Sequence, residues 1–202
     1  MLRIGTLGSS RISQPALIEP ADSVPEVTVA AVAARDMARA EAYALRHGLE
    51  RAYGSYDELL ADPDIDAIYN PLPNSLHGPW TLRAIEAGKH VLCEKPFASN
   101  ADEAAQVAEA ASASGLVVME AMHYRYHPLT QRLTATRDGA MVADEEGSGE
   151  STYVYQLRAF AAAIASGEPV PTSAASALVT MRLIDDAYRA AGLAPRPAGG
   201  RA

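Results

Sequence analysis

Val27–Ala33 reads VTVAAVA, a strand-length run without a charge. A strand can be apolar on both faces only where both faces are covered, as in a parallel sheet between helical layers. Similar short runs recur at Leu2–Leu7, Asp66–Asn70, Lys89–Cys93 and Leu116–Glu120. Helical patterns separate them. Arg11–Glu19 is a helix candidate with Pro15 tolerated only near its first turn. Asp36–His47 is helical and stops at Gly48, a residue suited to the left-handed helix end. Ser55 and Glu58 form a capping box that opens a short helix. Ser75–Ala87 is a helix stopped by Gly88. Asn100 and Glu103 repeat the capping signature and open a helix that ends at Gly115. The expected fold class is therefore α/β, a doubly wound parallel sheet.

The second part reads differently. Leu133–Thr136 and Ala140–Ala143 flank Asp138-Gly139, a hairpin signal placed at about 133–143. Asp144–Glu150 is an acidic connector. Two amphipathic helices follow, at about 152–166 and 173–191, and the Pro/Gly tail beyond Gly192 is expected to be loose.

Charge narrows the function. Across 202 residues, 17 basic and 25 acidic side chains leave a net charge of −8. Such a balance argues against nucleic acid, whose phosphates require clustered Lys and Arg. No apolar run reaches the roughly 18 residues a membrane span needs. The first strand begins at Leu2, which leaves no room for a signal peptide, and the lone Cys93 allows no internal disulfide. A cytoplasmic setting is expected.

Ligands of doubly wound sheets bind at the carboxyl ends of the strands. The unusual residues stand there. In Gly5–Ser13, only Gly8 fits the dinucleotide fingerprint G-x-G-x-x-G, and Ser10 and Ser13 take the other two glycine places. Small residues still let backbone amides approach a pyrophosphate, although an ordinary tight turn fits this spacing equally well. After the second strand comes Ala34-Arg35-Asp36. An acid there would bond the ribose hydroxyls of NAD, whereas Arg35 accommodates the 2′-phosphate of NADP. NADP is the first choice of cofactor and NAD the second. The plainer alternative makes Arg35 a solvated residue at a helix start and Asp36 its N-cap.

Glu94-Lys95-Pro96 follows the Lys89–Cys93 strand. A lysine there projects toward the nicotinamide. A desolvated lysine beside a cationic ring gives up its proton more easily and can exchange it with an alcohol or carbonyl. Glu94 could orient it, and Pro96 stiffens the turn. Lys89 is the only other lysine, so a chance surface placement is less favoured. His77 either faces the phosphates or caps its own helix. His123 and His127, with Glu120 nearby, have spacing that on a helix could ligate a metal, but Pro128 and the preceding strand argue against a regular helix, so no metal is assigned. Cys93 reads as a packed core thiol.

These residues resemble the Gfo/Idh/MocA family of NAD(P)-dependent oxidoreductases. The segments that carry the resemblance are RIGTLGSSRIS, AVAARDMARAEAYALRHG, SYDELLADPDIDAIYNPLPNSLH, LRAIEAGKHVLCEKPF and VVMEAMHYRYHPL, with TYVYQLRAFAAAIASGEPVPT and ALVTMRLIDDAYRAAGL toward the end. They cover residues 2–132 and 151–193. The Ala-Arg-Asp sequence is similar to that of the NADP-using dihydrodiol dehydrogenase branch. The resemblance implies a Rossmann domain over 1–123 and a shortened C-terminal region over 124–202. It implies that Gly8, Ser9, Ser10, Arg11 and Ile12 hold the pyrophosphate and that Arg35 reads the 2′-phosphate. Leu72, Asn74 and His77 would line the cofactor cleft. Lys95, with Glu94 and Pro96, would sit at the nicotinamide and act as the catalytic acid or base. Tyr124 and Arg125 would border a small-molecule substrate, sugar-like or a diol.

One departure is large. Family members carry an open antiparallel sheet between the segments matching HYRYHPL and TYVYQL. It walls the substrate and supplies a second catalytic group. Only about twenty residues fill that interval here, a loop-length stretch. The resemblance thus supports two functions, an NADP-dependent oxidoreductase or an NADP(H)-binding module without turnover. The face that such a sheet would cover is expected to promote self-association.

Overall fold

The computed structural model describes residues 1–135 and 149–199. Six strands form one wholly parallel sheet. They are β1 (Leu2–Leu7), β2 (Val27–Ala33), β3 (Arg51–Tyr53), β4 (Ala67–Asn70), β5 (His90–Cys93) and β6 (Val118–Glu120), in the order β3-β2-β1-β4-β5-β6. The order reverses between β1 and β4, so their carboxyl ends open the crevice where such sheets take ligands.

Both faces of the sheet are covered, as the uncharged run of β2 requires. Ile68, Val91, Cys93 and Val118 face one layer, with α3 (Tyr56–Ala61), α4 (His77–Glu86), α5 (Ala101–Ser114) and α8 (Ala174–Ala190). Ile4, Tyr69, Leu92 and Met119 face the other, where α7 (Thr152–Ser166) contributes Val154, Leu157 and Phe160. Val32 packs with Tyr43 and Ala44 of α2 (Met37–His47). α8 lies on α5, and α7 lies on the single-turn helix His123–Tyr126.

The capping signals act as expected. Asp36, Ser55 and Asn100 each accept a backbone N–H from the third residue on, and Gly48 and Gly115 end their helices in the left-handed region. Glu58 departs slightly from a strict capping box, accepting from Gly54 rather than from Ser55.

Four expectations need correction. Arg11–Glu19 is not one α-helix. A π-helical turn spans Gln14–Ile18 and passes into the single helical turn α1 (Glu19–Ala21), with Pro15 in the first turn where its missing N–H costs nothing. β3 falls between Gly48 and Ser55, where no element was expected. It is a short edge strand whose Arg51 and Tyr53 both bond Asp62, so a distant carboxylate rather than apolar patterning holds it. The first arm of the expected hairpin is helical, because Leu133–Ala135 finishes α6 (Pro128–Ala135), which Pro128 starts. The remainder of that hairpin lies outside the described residues. The tail is anchored, since Arg196 O accepts from Asn100 Nδ2 at 2.8 Å and Gly199 N donates to Glu103 at 3.2 Å. No helix among the described residues is long and apolar enough to cross a membrane.

Candidate functional site

The turn after β1 is shaped by one glycine. Gly8 has φ +78°, and a Cβ there would stand 3.1 Å from Leu72 Cδ2. Its N–H donates to Ala33 O at 2.7 Å. The base of the turn is tied by the buried Thr6–Ser13 hydroxyl pair at 3.2 Å, and the Tyr43 hydroxyl donates to Ser10 O at 2.9 Å. Ser13 thus fills the third glycine place with close packing. Ile12 packs against the apolar layer, which leaves only its backbone to face a ligand. Ser9 Oγ is buried and has no hydrogen-bond partner among the described residues. A buried unpaired hydroxyl costs free energy unless a ligand or water completes it.

Arg35 stands at the end of β2 beside Arg39 of α2. Gly8, Ser9, Arg35, Arg39, Tyr56 and Leu72 line one hollow of about 700 Å³. Ser9, Ser10, Arg11, Arg39, Arg46 and His47 line a second of about 510 Å³. Asp36 does act as N-cap, accepting from Arg39 N at 3.2 Å. Arg35 is exposed at the helix start, as that alternative has it. It shares the hollow with Tyr56, whose phenol burial pushes up while Arg35 and Arg39 pull it back down. Arg3, Arg51, Arg83, Arg158 and Arg189 all pair with carboxylates. Arg11, Arg35, Arg39 and Arg46 have no ion pair among the described residues. In a chain of net charge −8, four unpaired guanidinium groups around one turn make a local anion-attracting field.

The turn after β4 is built from inside. Asn70 is fully buried. Its Nδ2 donates to His77 O and to Thr81 Oγ1, and its Oδ1 accepts from Leu72 N. Leu72 borders the first hollow, and Asn74 begins the single-turn helix Asn74–Leu76. His77 does not face the cleft. It is 1% exposed, with Nδ1 2.7 Å from Pro96 O and Nε2 2.6 Å from Leu72 O. Two backbone carbonyls occupy both ring nitrogens, so His77 joins the 72 and 96 turns from behind.

Lys95 itself is exposed, so the described residues do not strip its ammonium of water. Its turn is braced from the core. Glu94 Oε1 accepts from the buried Tyr69 hydroxyl at 2.8 Å, and Glu94 Oε2 accepts from Lys95 N at 3.3 Å. Glu94 therefore orients Lys95 through its backbone rather than its ammonium. Glu120 accepts from Phe97 N at 3.0 Å, with burial pushing its carboxyl up. The Lys95–Pro96 peptide is cis. Cys93 is fully buried behind this turn, and burial pushes its thiol up, as suits a core residue. Lys89 has a structural place, its Nζ donating to Asp62 O and Ile65 O at 2.7 Å each.

Tyr124 and Arg125 are both exposed on the His123–Tyr126 turn. His123 Nδ1 lies 2.7 Å from Thr152 Oγ1. Its ring lies 4.2 Å from that of Tyr153 and 6.3 Å from that of Tyr124. The His127 ring instead meets Tyr155 at 5.3 Å. Among the described residues, no group of three or more His, Cys, Asp and Glu could hold a metal ion.

The structure thus adds Tyr69, Arg39, Tyr56 and Tyr153 to the residues singled out from the sequence. The Arg35-x-x-x-Arg39 spacing, with both residues on one side of a helix start, was the one signal available for Arg39.

Comparison with known proteins agrees with this geometry. The model of the GFO_IDH_MocA family, described as an oxidoreductase family with an NAD-binding Rossmann fold, matches residues 2–122. The chain is 47% identical over 145 residues to D-xylose 1-dehydrogenase (NADP(+)) 2 of Haloferax volcanii, covering 70% of this chain and 44% of that protein. It is 43% identical over 108 residues to trans-1,2-dihydrobenzene-1,2-diol dehydrogenase of Bos taurus, covering 54% and 32%. Among solved structures, KijD10, a 3-ketoreductase from Actinomadura kijaniata in complex with NADP and TDP-benzene, superposes with a TM-score of 0.63 at 35% identity. That match covers 68% of this chain and 42% of KijD10. The chain therefore spans between about a third and under half of the length of these relatives.

Proposed function

Because the chain belongs to the Gfo/Idh/MocA family of oxidoreductases, we propose that it binds NADP and exchanges hydride between that cofactor and a hydroxyl or carbonyl carbon of a sugar-like or diol substrate. The observation that carries the cofactor is the set of unpaired arginines at the carboxyl ends of β1 and β2. The residues fit the group. Gly8 leaves the space a Cβ would fill, and Ser9 Oγ is an orphaned donor in the turn that would hold the pyrophosphate. Arg35, with Arg39 beside it, would pair with the 2′-phosphate. When bound, NADP(H) supplies or accepts the hydride. Lys95 gives a proton to the carbonyl oxygen in reduction and takes it from the hydroxyl in oxidation. Glu94 and Tyr69 hold the Lys95 turn in place for that transfer.

The sugar or diol class draws support from the relatives, among them a xylose dehydrogenase and a dihydrodiol dehydrogenase. The lone, buried Cys93 supports a cytoplasmic setting. We also propose self-association through the exposed Tyr124 and Leu129, which a concentration-dependent sedimentation coefficient would reveal.

A second reading is favoured by the exposure of Lys95. The described residues hold one sheet and no wall over the ammonium, and positioning of substrate is worth about 7–11 kcal/mol to a reaction. On this reading the chain binds NADP without turnover. NADPH consumption with a panel of carbonyl substrates, abolished by Lys95→Ala, supports the enzyme. Calorimetric binding without consumption across the panel supports the binding module. Failure of NADP to bind the folded chain overturns both.

A further inference from the structure

Tyr56 carries a hydroxyl that nothing in the fold employs. It is the first residue of α3 and is 8% exposed. Its ring is held from the core side by Trp80 of α4, edge to face at 4.8 Å and 87°. Arg83 in turn lies over the Trp80 ring at 4.6 Å and pairs with Asp57, the residue after Tyr56. The phenol is therefore fixed in place, yet its hydroxyl makes no hydrogen bond among the described residues.

That hydroxyl stands at the Gly8 turn. A Cβ on Gly8 would lie 3.7 Å from Tyr56 Oη. The sheet brings Arg35 to the same place. Ala33 pairs with Tyr53 across β2 and β3, and Ala34 N donates to Tyr53 O at 3.0 Å. Arg35 and Tyr56 thus leave two adjacent strand ends side by side. Gly8, Ser9, Arg35, Arg39 and Tyr56 line the one hollow of about 700 Å³.

We propose that Tyr56 is a specificity-determining residue for NADP, its hydroxyl donating to the 2′-phosphate alongside Arg35 and Arg39. The proposal rests on the reading of this hollow as the 2′-phosphate site. A phosphate monoester presents three strongly accepting terminal oxygens. Two guanidinium groups supply charge to it, and the phenol adds a third donor. The bond to a phosphate is charge-assisted and stronger than one to the ribose hydroxyl that NAD has there, so the phenol favours NADP. Trp80 has already ordered the ring, so little side-chain freedom is lost on binding.

The test is calorimetry and thermal unfolding of Tyr56→Phe, which keeps the ring on Trp80 and removes only the hydroxyl. NADP⁺ binding should weaken about tenfold and NAD⁺ binding by no more than about twofold. Adenosine 2′,5′-bisphosphate, which has the phosphate but no nicotinamide, should lose as much as NADP⁺. The free variant should melt no lower than the parent chain, because the hydroxyl has no partner there to lose. Unchanged NADP⁺ affinity overturns the role of Tyr56, and so do equal losses for NADP⁺ and NAD⁺ or a lowered melting temperature. Each of those results leaves NADP⁺ binding by the parent chain intact. NADP⁺ that fails to bind the parent chain overturns the cofactor reading, and the proposal falls with it.

Discussion

The Tyr69 hydroxyl donates to Glu94 Oε1 at 2.8 Å from a position that is itself fully buried. This bond joins adjacent parallel strands at their carboxyl ends, where β4 and β5 deliver the two turns of the site. It also explains a buried acid beside Lys95. Burial and the Glu94 carboxylate hold the phenol far above its usual range, so it stays a donor. Tyr69→Phe should remove the bond without changing the core's shape. The expected loss is about 1.5–3 kcal/mol, the range for a hydrogen bond to a charged group, read by urea unfolding.

Arg35→Ala should weaken NADP⁺ binding by about tenfold to a hundredfold, the equivalent of one or two charge-assisted hydrogen bonds. NAD⁺ binding should stay within about twofold, since it lacks the 2′-phosphate that Arg35 addresses. Arg39→Ala should behave in the same direction, because both side chains line one hollow. Side-by-side calorimetry checks all three. Equal losses for the two nucleotides would remove the 2′-phosphate role.

Acid should loosen the β3 edge. Burial pushes the Asp62 carboxyl up, but the Tyr53 hydroxyl, the Asp64 N–H and the Arg51 guanidinium outweigh it and hold the group down at about 2. A carboxylate whose folded value lies below its unfolded value stabilises the fold above the unfolded value, about 3.9. That contribution is lost as pH falls from about 4 through about 2. Asp62→Asn should flatten this part of the stability–pH curve, measured by thermal unfolding at stepped pH. An unchanged curve would mean that Asp62 is not the group that matters there.

Gln156 is fully buried in α7, and neither amide atom has a partner among the described residues. Such a pair of groups costs about 1–3 kcal/mol to bury unpaired. Gln156→Met, similar in size and apolar, should raise stability by about that amount in chemical unfolding. A loss instead would mean that bound water or ligand satisfies the amide.

How much of this was legible varies with range along the chain. β1 and β2 agree with their sequence spans to the residue, since an apolar run ended by Gly or Ala-Arg is a local signal. The caps at Asp36, Ser55 and Asn100 were legible for the same reason, as each bond closes within three residues. The first arm of the expected hairpin, Leu133–Ala135, was misread because Asp138-Gly139 outweighed Pro128, a residue that starts helices. β3 was invisible because Arg51 and Tyr53 form an edge strand through contacts with Asp62, eleven and nine residues on respectively. His77 was expected at the cleft, but carbonyls of residues 72 and 96 hold it inside.

By itself the sequence determined the parallel sheet, the strand ends at which a ligand binds and the residue types gathered there, because apolar periodicity, glycine and caps act over a few residues. The packing of α2 against the Gly8 turn brought Arg39 and Arg46 to join Arg11 and Arg35 there. Tertiary structure alone decided which of those groups meet. Tyr69 finds Glu94 across 25 positions, Phe97 finds Glu120 across 23, and Thr152 finds His123 across 29. Hydrogen bonds extend only about 3 Å. Residues so far apart in sequence are brought within that reach only by the register of the strands and the seating of α7, and no local pattern records either.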